Sequence, residues 1–192
     1  MNEERKGDWF QTFTGKQFWT LDPHPEEVFI EDIAHSLSQQ CRFVGHTKVF
    51  YSVAQHCVLG ANELVASTSD AFHFLMHDSA ETYICDLPRP LKKDGGQFGK
   101  LYMRYEDQLE KAIATRFNLD HPMPTIVRLT DSRMLLTEKR ELLTDPPAAW
   151  KASEGDYKPF TWPISSWTPQ YAEKQFLNLF FNLNREYQKR FA

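Results

Sequence analysis

Cysteine is scarce in this chain, and its three residues stand apart. Cys41, Cys57 and Cys85 are odd in number, show no CxxC spacing and lie in apolar or helical contexts. They read as buried thiols in a reducing cytoplasm. Long apolar runs are also missing, because none approaches the roughly 18 residues that a bilayer span requires. The first residues, Met1, Asn2, Glu3, Glu4, Arg5 and Lys6, lead into no signal-like apolar core, so a cytoplasmic location with no membrane partner is expected. An excess of either charge is absent too. Twenty-two Lys and Arg against 26 Asp and Glu leave a net charge of −4, with an isoelectric point near 6.0. No long-range field therefore gathers duplex DNA, and nucleic acid is not expected as a partner. Neither an internal repeat nor a low-complexity tract is visible.

What is present is ordinary globular composition, 41% hydrophobic and 25% charged over 192 residues. This is enough for one domain with a sizeable core, taken as residues 1–192. Between Phe10, Phe13 and Phe18, Trp19, a Thr14-Gly15 turn signal predicts a short hairpin or extended arm within 9–22. From Ile30 the period changes: Ile30, Ile33, Ala34 and Leu37 give one helix an apolar face. A second helix is expected over about 52–64 with Val53, Cys57, Ala61 and Leu64 inside. A third, capped by Ser69, carries Phe72, Leu75, Met76 and Ile84 up to the prolines of Asp86-Leu87-Pro88-Arg89-Pro90. Leu101, Tyr105, Leu109 and Ile113 mark a fourth helix; Val127, Met134, Leu135 and Leu142 mark a fifth. Residues 145–169, with Trp150, Trp162, Trp167 and a Glu154-Gly155-Asp156 turn signal, read as an ordered loop packed by aromatics. Phe176, Leu179, Phe180 and Leu183 mark the last helix. The fold class is all-α, a helical bundle with a small β element near its start.

The residues that carry chemistry are His77-Asp78, read as standing within a helix, with His56 on an earlier helix and Asp131 on a later one. Two imidazoles and two carboxylates from separate helices can close around one cation. Glu81 follows His77 at i+4 and so projects from the same face, near a cation-bound water. His73 also stands four residues from His77, but the pattern does not need it. A zinc-protease reading of that pair fails because position 74 is Phe, where a general base should stand. His24, His46 and His121 likewise have structural readings.

The joint order, His56 in Tyr51-Ser52-Val53-Ala54-Gln55-His56, then His77-Asp78-Ser79-Ala80-Glu81, then Asp86-Leu87-Pro88-Arg89-Pro90, then Leu129-Thr130-Asp131, resembles the HD-domain phosphohydrolase superfamily. The similarity runs from about Phe18 to Leu142. The Glu81 and Asp86 spacings are similar to small bacterial deoxynucleotidases. The segments Ile33-Ala34-His35-Ser36-Leu37 and Cys41-Arg42-Phe43-Val44-Gly45-His46 resemble a phage and bacterial subgroup that includes deoxyadenosine triphosphate triphosphohydrolases.

The resemblance implies an HD-domain helical bundle with His56, His77, Asp78 and Asp131 as ligands of a divalent ion. Cobalt, manganese, magnesium, zinc, nickel and iron all remain open. It implies that Glu81 positions or deprotonates the attacking water and that Asp86 lies near the sugar or leaving oxygen. Arg42 would contact the phosphate, and Phe43 would stack on the base where related enzymes often carry tryptophan. Lys92 and Arg128 fall where cations for a triphosphate would sit. The expected activity is hydrolysis at the α-phosphate of a deoxynucleotide, dATP foremost, releasing the nucleoside and triphosphate; the expected assembly is a homo-oligomer. A monophosphate deoxynucleotidase and a non-catalytic nucleotide sensor are the alternatives. The roles fit elementary chemistry, since negative charge grows on the bridging oxygen as the ester breaks, and a cation with fixed Arg and Lys donors stabilises it.

Overall fold

The structure, a computed structural model, describes residues 5–150 and 157–191. The Glu154-Gly155-Asp156 turn signal and the first four residues lie outside that range. The expected hairpin forms. Strand β1 (Phe10–Gln11) pairs antiparallel with β2 (Gln17–Phe18), placing Phe10 opposite Phe18. Gly15 takes the positive φ, 79°, that the turn needs. The buried Asp32 carboxylate accepts from the Thr14 amide at 2.7 Å and the Thr14 hydroxyl at 3.0 Å, tying the turn to the next element.

That element is α1 (Ile30–Gln39), which buries Ile30, Ile33, Ala34 and Leu37 as the period predicted. Helix α2 (Val53–Asn62) opens on Ser52, whose hydroxyl accepts the Gln55 amide, and it buries Val53, Cys57 and Ala61. Leu64 falls beyond its end.

Two corrections follow in α3 (Thr68–Met76). Its cap is Ser67 rather than Ser69, the Ser67 hydroxyl accepting the Asp70 amide. The helix also stops at Met76 instead of continuing to Ile84. The amides of His77, Ser79 and Glu81 bond back three residues, to Phe74, Met76 and Asp78. These tighter bonds turn the chain before the short α4 (Glu81–Ile84) begins.

The sequence pattern marks no helix between the prolines and Leu101, yet α5 (Arg89–Asp94) forms there. Pro90 occupies its first turn, where a missing N–H costs nothing, and the Pro88 carbonyl takes the amides of Leu91 and Lys92. In α6 (Gly96–Phe117) the inward face near the start is Tyr102, and Leu101 is exposed. The Tyr102 hydroxyl donates to the Cys85 carbonyl, which turns that end of the helix by one residue from the expected stripe.

Helix α7 (Thr125–Leu142) and helix α8 (Pro169–Gln188) complete the bundle. Helix α8 packs on α1, α2 and α3 through Phe176, Phe180 and Leu183, and Phe72 of α3 meets both Phe180 and Tyr187. Between α7 and α8, Gln55 orders the chain by donating to the Ser165 carbonyl and accepting from the Trp167 amide. Arg140 adds bonds to the carbonyls of Phe160 and Trp162. The described part of this connection is therefore ordered, as expected.

Of the three cysteines only Cys57 is buried; Cys41 is half-buried and Cys85 exposed. Cys85 departs from expectation because its positive φ, 65°, carries the chain outward after α4. Among the described residues no helix is long and apolar enough to cross a membrane.

Close approach of α2 and α3 depends on Gly60, where an added Cβ would lie 2.1 Å from Cε1 of Phe74. Alanine is worth roughly 1 kcal/mol more than glycine in a helix interior, but a buried ring cannot yield that distance without repacking, at about 1–3 kcal/mol. Gly60→Ala is therefore expected to destabilise, or at best to be neutral, in urea unfolding. A gain in stability would show that the two helices can separate freely.

Candidate metal centre

The four sequence-predicted ligands meet. Ser52 starts α2 so that His56 stands one turn in, fully buried, and its amide bonds to the Ser52 carbonyl. His77 and Asp78 lie where α3 ends rather than inside a helix, which corrects the sequence reading. Neighbours in a regular helix point about 100° apart. Both side chains nonetheless reach one centre, with Asp78 Oδ1 lying 3.2 Å from His77 Nε2. Asp131 projects from α7.

The His56 and His77 Nε2 atoms are 3.3 Å apart. Asp131 Oδ1 is 3.3 Å from His56 Nε2 and 3.9 Å from His77 Nε2. Asp78 approaches His77 Nε2 to 3.2 Å through Oδ1 and His56 Nε2 to 3.6 Å through Oδ2. Ligand atoms of His56, His77 and Asp131 all lie within 4.8 Å of one another, a grouping that could hold a metal ion.

The opposite ring edges are fixed. His77 Nδ1 donates to the Phe74 carbonyl at 2.7 Å, and His56 Nδ1 meets the Glu138 carboxylate at 2.5 Å. With protons on both Nδ1 atoms, the Nε2 atoms are the ones that face the centre. Mixed imidazole and carboxylate donors suit a divalent transition metal.

Glu138 was not anticipated. It is fully buried, accepts from the Tyr51 hydroxyl at 2.9 Å and pairs with Arg42 at 3.3 Å. One signal in the sequence pointed to it: Glu138 follows Asp131 by seven residues, two turns along the same face of α7.

The electrostatics are those of buried opposite charges. Burial and Arg42 push the His56 imidazolium down, but Glu138 and the bonds to Asp131 and Glu138 outweigh them and hold it up at about 9. Burial raises the Asp131 carboxyl, yet the His56 bond and the charges of His56, His77 and Arg42 bring it well below the usual range. Asp78 is lowered likewise, against burial, by His77, His56 and Arg42. Glu81 moves the other way: burial, Asp78 and Asp86 push its carboxyl well up, with Lys92 and Arg42 opposing. Its Oε2 is buried and has no hydrogen-bond partner among the described residues.

The expected substrate contacts divide. Arg42 is beside the cluster, 3.2 Å from Asp78, so its charge is shared with the ligands. Phe43 follows it in a tight turn (Arg42–Gly45) where Phe43 and Val44 take φ of 55° and 53°. Such angles are costly for a β-branched valine. The Phe43 ring faces Trp150, centroids 6.4 Å apart. Asp86 lies beside Glu81, its amide bonded to Gln40, whose side chain also donates to the Glu81 carbonyl.

Lys92 reaches Glu81 at 3.6 Å but pairs more closely with Glu106, at 2.7 Å, so it is no solvated loop lysine. Arg128 is not brought to the cluster. Although it stands one turn before Asp131, its exposed guanidinium bonds to the Met123 carbonyl and the Thr125 hydroxyl at the start of its own helix.

Among the described residues two further donor groups exist. Cys57 offers its sulfur close to His77 and Asp78, and Asp107, Glu110 and His121 form a separate set. The latter borders a small cleft of about 40 Å³ lined by His77, Ala80, Glu110, Ile113, His121 and Met123, among others. Burial, Glu106, Asp107 and Asp78 push Glu110 in this cleft up to about 7. His73 keeps a structural role, bonding the Ser69 carbonyl and the Asp120 amide.

No family model matches the chain. It is 37% identical over 174 residues to the uncharacterized protein YfdR of Escherichia coli (strain K12), covering 91% of this chain and 94% of that protein. It is 33% identical over 131 residues to an uncharacterized protein of Rhodobacter capsulatus, covering 64% of this chain and 65% of the relative.

A cation entering the centre must displace the proton that His56 holds up to about 9. Proton and metal compete, so apparent affinity is expected to be flat above that pH. Below it the affinity should fall by about tenfold per pH unit for the one proton released. Calorimetric titration with Co²⁺ from pH 6 to 9.5 measures the slope; a pH-independent affinity over that range would place the cation elsewhere. His77→Ala or Asp131→Asn should remove most of the bound Co²⁺ while the helical circular dichroism remains.

Proposed function

The chain belongs to the family that contains YfdR of Escherichia coli, and for it we propose a metal-dependent phosphohydrolase of the HD-domain type, acting at the α-phosphate of a deoxynucleotide. The observation that carries the proposal is the convergence of His56, His77, Asp78 and Asp131 with a buried, unpaired Glu81 oxygen beside them. Those four residues would hold a divalent ion, which would supply Lewis-acid polarisation of a phosphoryl oxygen and lower the pKa of water.

The chain's own residues do the rest. Glu81, made more basic by burial and by Asp78 and Asp86, takes a proton from water. Arg42 presents a guanidinium at the edge of the cluster, where a planar fork grips phosphate oxygens and stabilises their growing charge. Asp86, whose charge acts on Glu81, would serve a sugar or leaving oxygen. Phe43 and Trp150 provide aromatic faces for a base.

The triphosphate reading, with dATP as substrate, rests on the resemblance and on Lys92. The monophosphate reading gains from two observations: Lys92 is already paired with Glu106 and Glu81, and Arg128 is bonded to its own helix start. A non-catalytic nucleotide sensor would have no use for a basic Glu81 beside the ligands.

A panel of deoxynucleoside mono-, di- and triphosphates with Mn²⁺, Co²⁺, Mg²⁺ and Zn²⁺, its products separated by chromatography, tests activity and leaving group together. Glu81→Gln is expected to keep the cation and lose about 10²–10⁴-fold in turnover. Near-normal turnover in that variant would assign the proton transfer to another group. Lys92→Ala should lower kcat/KM for dATP more than for dAMP, whereas Arg42→Ala should lower both. Equal losses from Lys92→Ala would leave the monophosphatase.

A further inference from the structure

We propose that Glu138 is a positioning residue for this site: its carboxylate fixes which nitrogen of His56 faces the centre and holds Arg42 in register with it. The proposal rests on the reading of His56 as a ligand and goes beyond it. Glu138 is fully buried, and a buried carboxylate is costly unless well partnered. Among the described residues its partners are His56 Nδ1 at 2.5 Å and the Tyr51 hydroxyl at 2.9 Å, both on Oε1, and Arg42, an ion pair at 3.3 Å from Oε2, which makes no hydrogen bond. A merely structural anchor would not need a ligand histidine among them.

The arrangement on α7 is specific. Asp131 approaches the Nε2 edge of His56 at 3.3 Å while Glu138, two turns further along the helix, holds the Nδ1 edge. One helix thus grips both edges of one imidazole and sets the ring's tilt as well as its tautomer. His77 differs, since its Nδ1 donates to a neutral backbone carbonyl. His56 with a carboxylate behind it is therefore the stronger donor of the pair. Arg42 bridges Glu138 and Asp78, so the same carboxylate also keeps that guanidinium from collapsing wholly onto Asp78.

The test uses the full chain in three forms: wild type, Glu138→Gln, which preserves shape but not charge, and Tyr51→Phe, which removes one support of the carboxylate. Proton–nitrogen NMR of histidine-labelled protein should find a strongly deshielded, slowly exchanging proton on His56 Nδ1 in wild type, altered in Glu138→Gln and shifted in Tyr51→Phe. Co²⁺ affinity should fall about 10–100-fold in Glu138→Gln, with a changed visible spectrum of the bound ion and a smaller fall in Tyr51→Phe. A structural role alone would lower Tm and leave the proton and the Co²⁺ spectrum as they are.

The idea is overturned if folded Glu138→Gln keeps wild-type affinity within about twofold and an unchanged spectrum, or if wild-type His56 carries its proton on Nε2 alone. Should Glu138→Gln not fold, the wild-type Nδ1 proton and its shift in Tyr51→Phe decide. Should wild type bind no cation, the metal reading fails, and the Nδ1 proton still decides whether Glu138 orients His56.

Discussion

Three carboxylates, those of Asp78, Asp131 and Glu138, are gathered around His56, and like charges withdrawn from water at that spacing repel strongly. The architecture around them answers this constraint. Arg42 is held between Asp78 and Glu138, and the two imidazoles stand between Asp78 and Asp131. These groups come from four separate stretches of chain. The turn after α1 supplies Arg42, α2 supplies His56, the end of α3 supplies His77 and Asp78, and α7 supplies Asp131 and Glu138. Removing any one cation leaves a buried anion unmatched, so the charges bind these elements into a common unit. They also leave the centre suited to a further positive charge.

The same distribution of charge makes Glu81 behave unlike its neighbours. Asp78 and Asp131 are lowered because imidazoles and Arg42 lie against them, whereas Glu81 faces Asp78 and Asp86 with Lys92 as its near cation. Lys92 in turn is shared with Glu106. Carboxylates of one cluster thus take opposite tendencies, and the difference arises from which partners the fold places beside each.

Much of this was legible in the sequence, for reasons that can be traced. Helix α1 and the hairpin were readable because local periodicity and a Thr-Gly turn decide them. The convergence of His56, His77, Asp78 and Asp131 was readable because those residue types have few other reasons to recur in that order. What escaped depends on contacts distant in sequence or on the exact course of a turn. The end of α3 escaped because apolar Phe72, Leu75, Met76 and Ile84 continue a helical pattern straight through the turn at 77–80. Helix α5 escaped because Pro88 and Pro90 read equally as a loop or as a helix start. Lys92 and Arg128 stand on known elements, but which partner a long side chain chooses is settled by Glu106 in one case and by the start of α7 in the other. Glu138 escaped because a lone glutamate among helical residues normally faces solvent; only its two-turn spacing from Asp131 distinguished it.

The site is also joined to the core through the ring of Phe74. Phe74 lies inside α3 with its centroid 4.5 Å from that of His77 and 5.6 Å from that of His56, and its carbonyl accepts the His77 Nδ1 proton. Its other face fills the space left by Gly60 on α2. The separation of α2 and α3 therefore sets the separation of the two imidazoles they carry. Close-packed interiors transmit displacements instead of absorbing them, and ligation depends on distances of a few tenths of an ångström. The Gly60–Phe74 contact is thus as much a determinant of the centre's geometry as the residues that form it, although neither carries a group able to bind an ion.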